Sequence, residues 1–273
     1  MTLIITQTQI NTFERCKRCY YLRYVRKLSW PGSRVKNEEM RRGEDFHLIV
    51  RQLTLGIPRE QLIIPAEDEA LRKWTDAWCR EKPLKDFQTI SAEKEVSSLF
   101  EDVLWLGKFD VLAVSDDRIT IFDWKTTGHP RSAKRYQDAP QTRLYRFLAK
   151  SCGARLLGAG LHPIPAENIE MVYWFPEHPR SAIRLPYSEE AWQDDLSWLR
   201  LKAREMSYED EDHYPRTKKE KDCAFCDYFK LCHPEQSVIE PVTAEEDPFD
   251  EIYQTGFVFM DPGEEEEQEG PGF

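Results

Sequence analysis

The chain has 273 residues, 40% hydrophobic and 12% aromatic, enough apolar side chain for one large packed core or two modest ones. That composition excludes a fully disordered chain and a disulfide-stapled miniprotein, and no run of 18 apolar residues offers a membrane span. The formal charge of −11, from 38 Lys+Arg against 49 Asp+Glu, argues against a nucleic-acid partner only if its distribution is ignored.

The spacing of apolar residues predicts a first helix over residues 8–28, capped by Thr8 or Asn11, with Phe13, Tyr20, Tyr21 and Tyr24 near helical spacing. A second spans 36–56, with Phe46, Ile49, Val50 and Leu53 on one face and Gly56 as its stop. A third spans 65–82 through Leu71, Trp74 and Trp78. The period then falls to two. Strands are predicted over 92–99, 103–115 and 118–125, with Ser115-Asp116-Asp117 where a hairpin turn belongs. A helix over 138–152 follows, carrying Pro140 in its first turn, where proline is tolerated. Two more strands, 169–175 and 182–185, flank Pro176 and Pro179. Ser188 then caps a helix to about 207, with Glu189 and Glu190 favoured by the dipole in its first turn.

From Pro234 the chain is acidic, punctuated by Pro and Gly and without period, so residues 234–273 are expected to be a disordered tail. The tail holds much of the acid. Residues 231–273 contain 13 acids and no Lys or Arg, leaving residues 1–230 with 36 acids against 38 bases. Helices followed by strands with an interposed helix make an α/β or α+β domain over 1–233, with an N-terminal helical lobe. With no export signal and no membrane span, a cytoplasmic location is expected.

The chemistry concentrates in Gly107-Lys108-Phe109-Asp110 and Asp123-Trp124-Lys125. Asp110 falls within one apolar strand and Asp123 near the end of the next, and the period of two puts Asp123 and Lys125 on one face. Charges inserted among Val, Leu, Ile and Phe are costly unless paired or metal-bound, and two carboxylates suit Mg²⁺ or Mn²⁺. A neighbouring ammonium can orient a water or stabilise charge developing on phosphorus. A salt-bridged hairpin would use the same three residues. More candidates converge: Gln141 and Tyr145 lie four apart on the next helix, His47 sits in the second helix, and Glu93 and Glu95 share a face of the preceding strand.

The ordered set Gly43/His47, Glu93 or Glu95, Gly107/Asp110, Asp123/Lys125 and Gln141/Tyr145 resembles the PD-(D/E)xK nucleases of the RecB type, over nearly all of residues 7–233. The resemblance implies a restriction-endonuclease-like core, a mixed sheet flanked by helices. It implies a metal-dependent DNA nuclease in which Asp110, Asp123 and His47 bind Mg²⁺ or Mn²⁺ and Lys125 is the catalytic lysine. Gln141 and Tyr145 would then act on the substrate strand and the site geometry.

Seven cysteines in a chain without an export signal do not read as a disulfide framework. Cys223, Cys226 and Cys232 form a compact C-terminal thiolate cluster that needs a fourth ligand. Zinc with His233 or an N-terminal Cys is one solution. Iron–sulfur nucleases among RecB relatives, including AddB subunits and CRISPR-associated RecB-family exonucleases, resemble the other: Cys16 joining the three around a [4Fe–4S] cluster, with Lys17 where that family has Pro and with Cys19 as rival to Cys16. Cys79 and Cys152 read as plain buried thiols.

Lys17, Arg18, Arg23, Arg26 and Lys27, interleaved with tyrosines, are candidates for phosphate and base contact, as are Arg131, Lys134, Arg135, Arg143 and Arg146. The acidic tail ending in Phe273 resembles the tips of single-stranded-DNA-binding proteins, implying a replication, recombination or CRISPR partner or competition with DNA. The expected activity is exonucleolytic, on single-stranded or frayed DNA ends. A nuclease-like processing or scaffold subunit active only within an assembly, and a zinc-stapled interaction protein, are the alternatives.

Overall fold

The computed structural model describes residues 2–28, 38–126, 129–158, 163–223 and 226–235, and the acidic tail beyond 235 lies outside them. The chain begins with a strand that its sequence hid. β1 (Leu3–Thr6) runs parallel to β3 (Val103–Ser115) in the register Leu3↔Val103 to Thr6↔Leu106. Four residues are too few to display a period.

Thr6, rather than Thr8 or Asn11, caps α1 (Gln7–Arg15): its hydroxyl accepts from Gln9 N, and Gln9 Oε1 accepts from Thr6 N at 2.7 Å, a reciprocal capping box. The predicted 8–28 helix also breaks. Cys16 is extended (φ −157°, ψ 110°), and the chain resumes as α2 (Lys17–Tyr20) and a π-helical turn, Tyr21–Val25. α3 (Glu38–Thr54) and α4 (Glu69–Glu81) follow as expected, α4 capped by Asp68 accepting from Leu71 N at 2.9 Å.

β2 (Thr89–Phe100), β3 and β4 (Arg118–Trp124) form an antiparallel meander. The predicted 138–152 helix is α6 (Pro140–Leu157), with Pro140 at its first position, and an unpredicted short helix, α5 (Ala133–Gln137), precedes it. β5 (Ile169–Trp174) runs parallel to β4, and β6 (Ile183–Pro186) pairs antiparallel with β5. Ser188 caps α7 (Glu189–Met206), and the short α8 (Glu220–Cys223) and α9 (Phe229–Cys232) carry the C-terminal cysteines.

The six strands make one mixed sheet in the order β1-β3-β4-β5-β6, with β2 on the opposite edge of β3. Helices cover both faces. Phe46, Ile49, Leu71 and Trp74 of α3 and α4 pack on Val111, Ala113, Phe122, Trp124 and Trp174. On the other face Leu144, Phe147, Leu148 and Leu199 of α6 and α7 pack on Trp105, Phe109, Leu112, Ile121 and Met171. This is a restriction-endonuclease-like α/β/α arrangement.

Two irregularities in the sheet matter for the site. β1 covers residues 103–106 of β3 and β4 covers 111–115, so that edge of β3 is uncovered by strands from Gly107 to Asp110. The side-chain alternation also slips there. Trp105 and Phe109 face α6, whereas Val111 and Ala113 face α3 and α4; across the ladder Ala92 and Val96 likewise fall on opposite faces. Glu93, which register sets opposite Asp110, has φ 54°. The slip removes the shared face that strict alternation gave Glu93 and Glu95.

The basic stretch near the N-terminus is largely consumed within the fold. Lys17 pairs with Glu205 at 3.1 Å, Arg18 with Glu211 and Arg23 with Asp227, while Tyr20 and Tyr21 are buried and stack on Tyr214. Arg143 and Arg146 both bind the buried Asp195. These five cations hold helices and the C-terminal segment together, which corrects the expectation that they face phosphates.

Gly107 lets α6 approach the uncovered edge. A Cβ there would stand 2.7 Å from Leu148 Cδ1 and 3.1 Å from Tyr145 Cε1. Gly107→Ala is expected to cost about 1–3 kcal/mol in urea unfolding, the usual range for overpacking; unchanged stability would contradict this packing.

Candidate active site and thiol chamber

Asp110 and Asp123 are carried on neighbouring strands, and His47 reaches them from α3. His47 Nδ1 lies 3.3 Å from Asp110 Oδ2, and its Nε2 donates to the Trp124 carbonyl at 3.0 Å. The same Asp110 oxygen accepts from Trp124 N at 3.0 Å. A carbonyl only accepts, so Nε2 carries a proton, and a second proton on Nδ1 suits the facing carboxylate. Burial opposes the charged imidazole, but Asp110, with Asp123 beyond it, outweighs that and raises the pKa of His47. Burial likewise pushes Asp110 up, but His47, Trp124 N–H and Lys125 together lower it.

Asp123 is in the opposite state. Burial, reinforced by the Asp110 charge, outweighs Lys125 and raises its pKa. Two carboxylates in one buried site are thus pushed apart in acidity. Lys125 Nζ lies 2.8 Å from Asp123 Oδ2, donates to Gln141 Oε1 at 3.0 Å and sits 5.4 Å from the Tyr173 ring centre. Gln141 Nε2 completes the ring by donating to Asp123 Oδ1. Asp123, Lys125 and Gln141 are all at least 92% buried.

Tyr145 acts one step back. Its hydroxyl lies 2.8 Å from the Lys108 carbonyl, on the uncovered stretch of β3, and 3.1 Å from Gln7 Oε1. It closes the sheet edge that strands leave open, and burial pushes its phenol pKa up. Glu93 pairs with Lys108 instead of the aspartates, and Glu95 is exposed. Sequence reasoning missed Gln7, Trp124 and Tyr173: a backbone amide, a ring face and a buried amide leave no charge pattern to find.

Among the described residues no three His, Cys, Asp or Glu side chains already stand as a metal-holding group. The donor set nevertheless fits a hard divalent cation: two carboxylates, with Asp123 Oδ2 buried and lacking any hydrogen bond, and His47 Nδ1 once an ion displaces its proton. The close contact of Asp123 Oδ2 with Lys125 is an ion pair without hydrogen-bond geometry.

A second cluster joins the chain's two ends. Cys16, Cys19, Cys223, Cys226, Cys232 and His233 line one small chamber. Cys16, Cys19 and Cys226 pack there with Tyr228. The neighbouring Cys19 lowers the pKa of Cys226 to about 6, while burial raises that of Cys223 to about 11. Cys152 is buried and Cys79 only half-buried, both away from the chamber.

Asp110 on the uncovered stretch of β3 thus meets Asp123 and Lys125 at the end of β4. The model of the PD-(D/E)XK nuclease superfamily matches residues 4–233, and the chain belongs to that superfamily. It is similar to a crystal structure from Eubacterium rectale, a protein provisionally named an exonuclease: TM-score 0.53, 9% identity, covering 89% of this chain and 91% of that one. That likeness speaks for the fold. A protein titled SSO0001 aligns at TM-score 0.34 and 14% identity, over 84% of this chain and 97% of its own, too loosely to carry an argument. No curated protein matches this chain by sequence. No helix among the described residues is long and apolar enough to cross a membrane.

Gln141 ties Asp123 to Lys125. Gln141→Leu should leave the fold intact at a cost of about 1–3 kcal/mol for unsatisfied buried groups, and lower cleavage by about 10–100-fold. Wild-type turnover in this variant would show that the amide does not position the pair.

Proposed function

We propose that the chain is a Mg²⁺- or Mn²⁺-dependent deoxyribonuclease of the RecB type, with its nuclease unit in residues 1–233, acting on single-stranded or frayed ends. The observation that carries the proposal is the convergence of His47, Asp110, Asp123, Lys125 and Gln141, from two helices and two strands, on one buried charge cluster. Asp110, Asp123 and His47 would hold the ion. The ion's contribution is to lower the pKa of a bound water and neutralise charge on the scissile phosphate.

The protein's own groups do the rest. Asp110, held low in pKa, is ionised at neutral pH and ready to bind. Lys125 presents its ammonium beside Asp123, where it can hold the attacking water or meet charge developing on a phosphate oxygen. Gln141 fixes the direction of that ammonium, and Tyr145 fixes the strand that bears Asp110. Neither Glu93 nor Glu95 is needed for these steps. The preference for ends rests on the family resemblance, and the docking of a replication, recombination or CRISPR partner rests on the tail's own likeness to the tips of single-stranded-DNA-binding proteins.

The same reading gives the chain a [4Fe–4S] cluster held by Cys16, Cys223, Cys226 and Cys232, all of which line the thiol chamber. Such a cluster would join the start of the chain to its last described segment around the nuclease core. One observation favours zinc instead: His233 Nε2 is buried in the chamber without a hydrogen bond. Metal analysis of anaerobically purified protein separates the two.

With end-labelled single- and double-stranded DNA, cleavage is expected only with Mg²⁺ or Mn²⁺ and is expected to stop on chelation. Asp123→Asn and Lys125→Met should abolish it while circular dichroism and unfolding remain native-like; full activity in either would overturn the mechanism. An inactive purified protein that cleaves once its partners are added would instead favour the assembly-subunit reading. Cys226→Ser should remove iron and visible absorbance, and an unchanged spectrum would exclude Cys226 as a ligand.

A further inference from the structure

β1 is an edge strand: among the described residues it pairs with β3 alone. The Thr6 N–H is bonded to Gln9 Oε1 and so points away from β3, and the period of two turns the N–H and C=O of Ile4 the same way. An open edge is a template for another strand, and proteins blunt such edges with charge, proline or a cover. Leu3-Ile4-Ile5-Thr6 has neither charge nor proline, and Ile4 is 44% exposed. A cavity of about 780 Å³ lies against this strand, the π-helical turn and the end of α7. Ile4, Tyr24, Val25 and Met206 supply its apolar wall. Its charges cancel, with Lys27, Arg200 and Arg204 against Glu101, Asp102 and Glu209, so it suits an uncharged segment.

We propose that residues 252–260 of the chain's own tail dock in this cavity as an added strand on β1. Ile252-Tyr253-Gln254-Thr255-Gly256-Phe257-Val258-Phe259-Met260 is uncharged, bracketed by Glu251 and Asp261, and rich in the β-branched and aromatic residues that strands favour. Main-chain bonds to the open side of Ile4 hold it, and the period of two sends Phe257 and Phe259 to one side and Val258 and Met260 to the other. The chain is long enough to close on itself. Tyr228 donates to the Leu28 carbonyl, beside Lys27 on the cavity rim, and the described chain ends soon after at Glu235. Residues 236–251 span up to about 50 Å when extended, on the order of the width of a domain this size. The Glu-rich tip, residues 264–273, is left outside for a partner. The docking depends on neither metal centre nor on the nuclease reading.

Hydrogen exchange on the full-length chain tests this, with sedimentation as a second readout. The outward amide of Ile4 is expected to be protected. Deleting residues 249–273 should speed its exchange by about tenfold or more, while Ile5, whose amide faces β3, stays unchanged. The deletion should also bring concentration-dependent association through the bared edge. Phe257→Asp together with Phe259→Asp in the full chain should reproduce both effects, at positions outside the packed core. A peptide of residues 250–261 added to the deletion variant should restore protection, and removing residues 262–273 alone should leave it in place. Equal exchange at Ile4 in the full-length chain and the 249–273 deletion would overturn the proposal. Protection that rises with protein concentration and survives the deletion would assign the edge to a second copy. Loss of protection on removing residues 262–273 alone would assign it to the acidic tip. Either result overturns the proposal as well.

Discussion

Two carboxylates buried side by side in the middle of a sheet are the constraint around which this molecule is arranged. Removing an ion from water costs several kcal/mol even after relaxation, and two like charges aggravate that cost. The fold offsets it from every layer. α3 brings His47 to Asp110, the backbone of β4 brings Trp124 N–H, and α6 brings Gln141 to Asp123 and Lys125. The uncovered edge of β3 makes room for these groups, because a strand covering residues 107–110 would occupy the same space. The slip at Glu93 and Asp110 and the close approach of α6 over Gly107 are local consequences of the same demand.

The second organising feature is the closure of the chain's ends on one another. Phe13, Tyr20 and Tyr21 gather around the buried Tyr214, and the Tyr228 hydroxyl donates to the Leu28 carbonyl at 2.6 Å. Lys17, Arg18 and Arg23 supply ion pairs across the same seam. Partly exposed pairs of this kind contribute little singly. Their value lies in direction, since they fix where α2 lies and so bring Cys16 and Cys19 to the three C-terminal thiols. The formal charge of −11 conceals this division of labour, in which many of the body's bases serve internal pairs and the acid gathers beyond residue 230.

Much of this was legible in the chain. The amphipathic spacing of α3 and α4, the cap at Ser188 that opens α7 and the antiparallel meander are local patterns, and local patterns are what a sequence displays. β1 and α5 escaped because elements of four or five residues carry no period. The extended residue at Cys16 escaped because nothing in a Lys- and Arg-rich stretch marks a break. The basic residues misled for a related reason: a cation beside tyrosines reads the same whether its partner is a phosphate or a carboxylate some 190 residues away, as with Arg18 and Glu211.

By itself the sequence determined which chemistry was available: two carboxylates and a lysine at strand spacing, a histidine and an amide on helices, and thiolates at both ends. It also determined which face the helices would bury, because helical spacing is set by backbone geometry within a few residues, whereas strict alternation failed where the sheet slips at Glu93 and Asp110. Only the tertiary structure decided the pairings. It chose Lys108 as the partner of Glu93, gave Tyr145 a strand edge to close, joined Gln141 to both Asp123 and Lys125, and gathered Cys16 and Cys19 with the three C-terminal thiols in one chamber. Those choices depend on distances between segments far apart in the chain, which packing sets and no local pattern encodes.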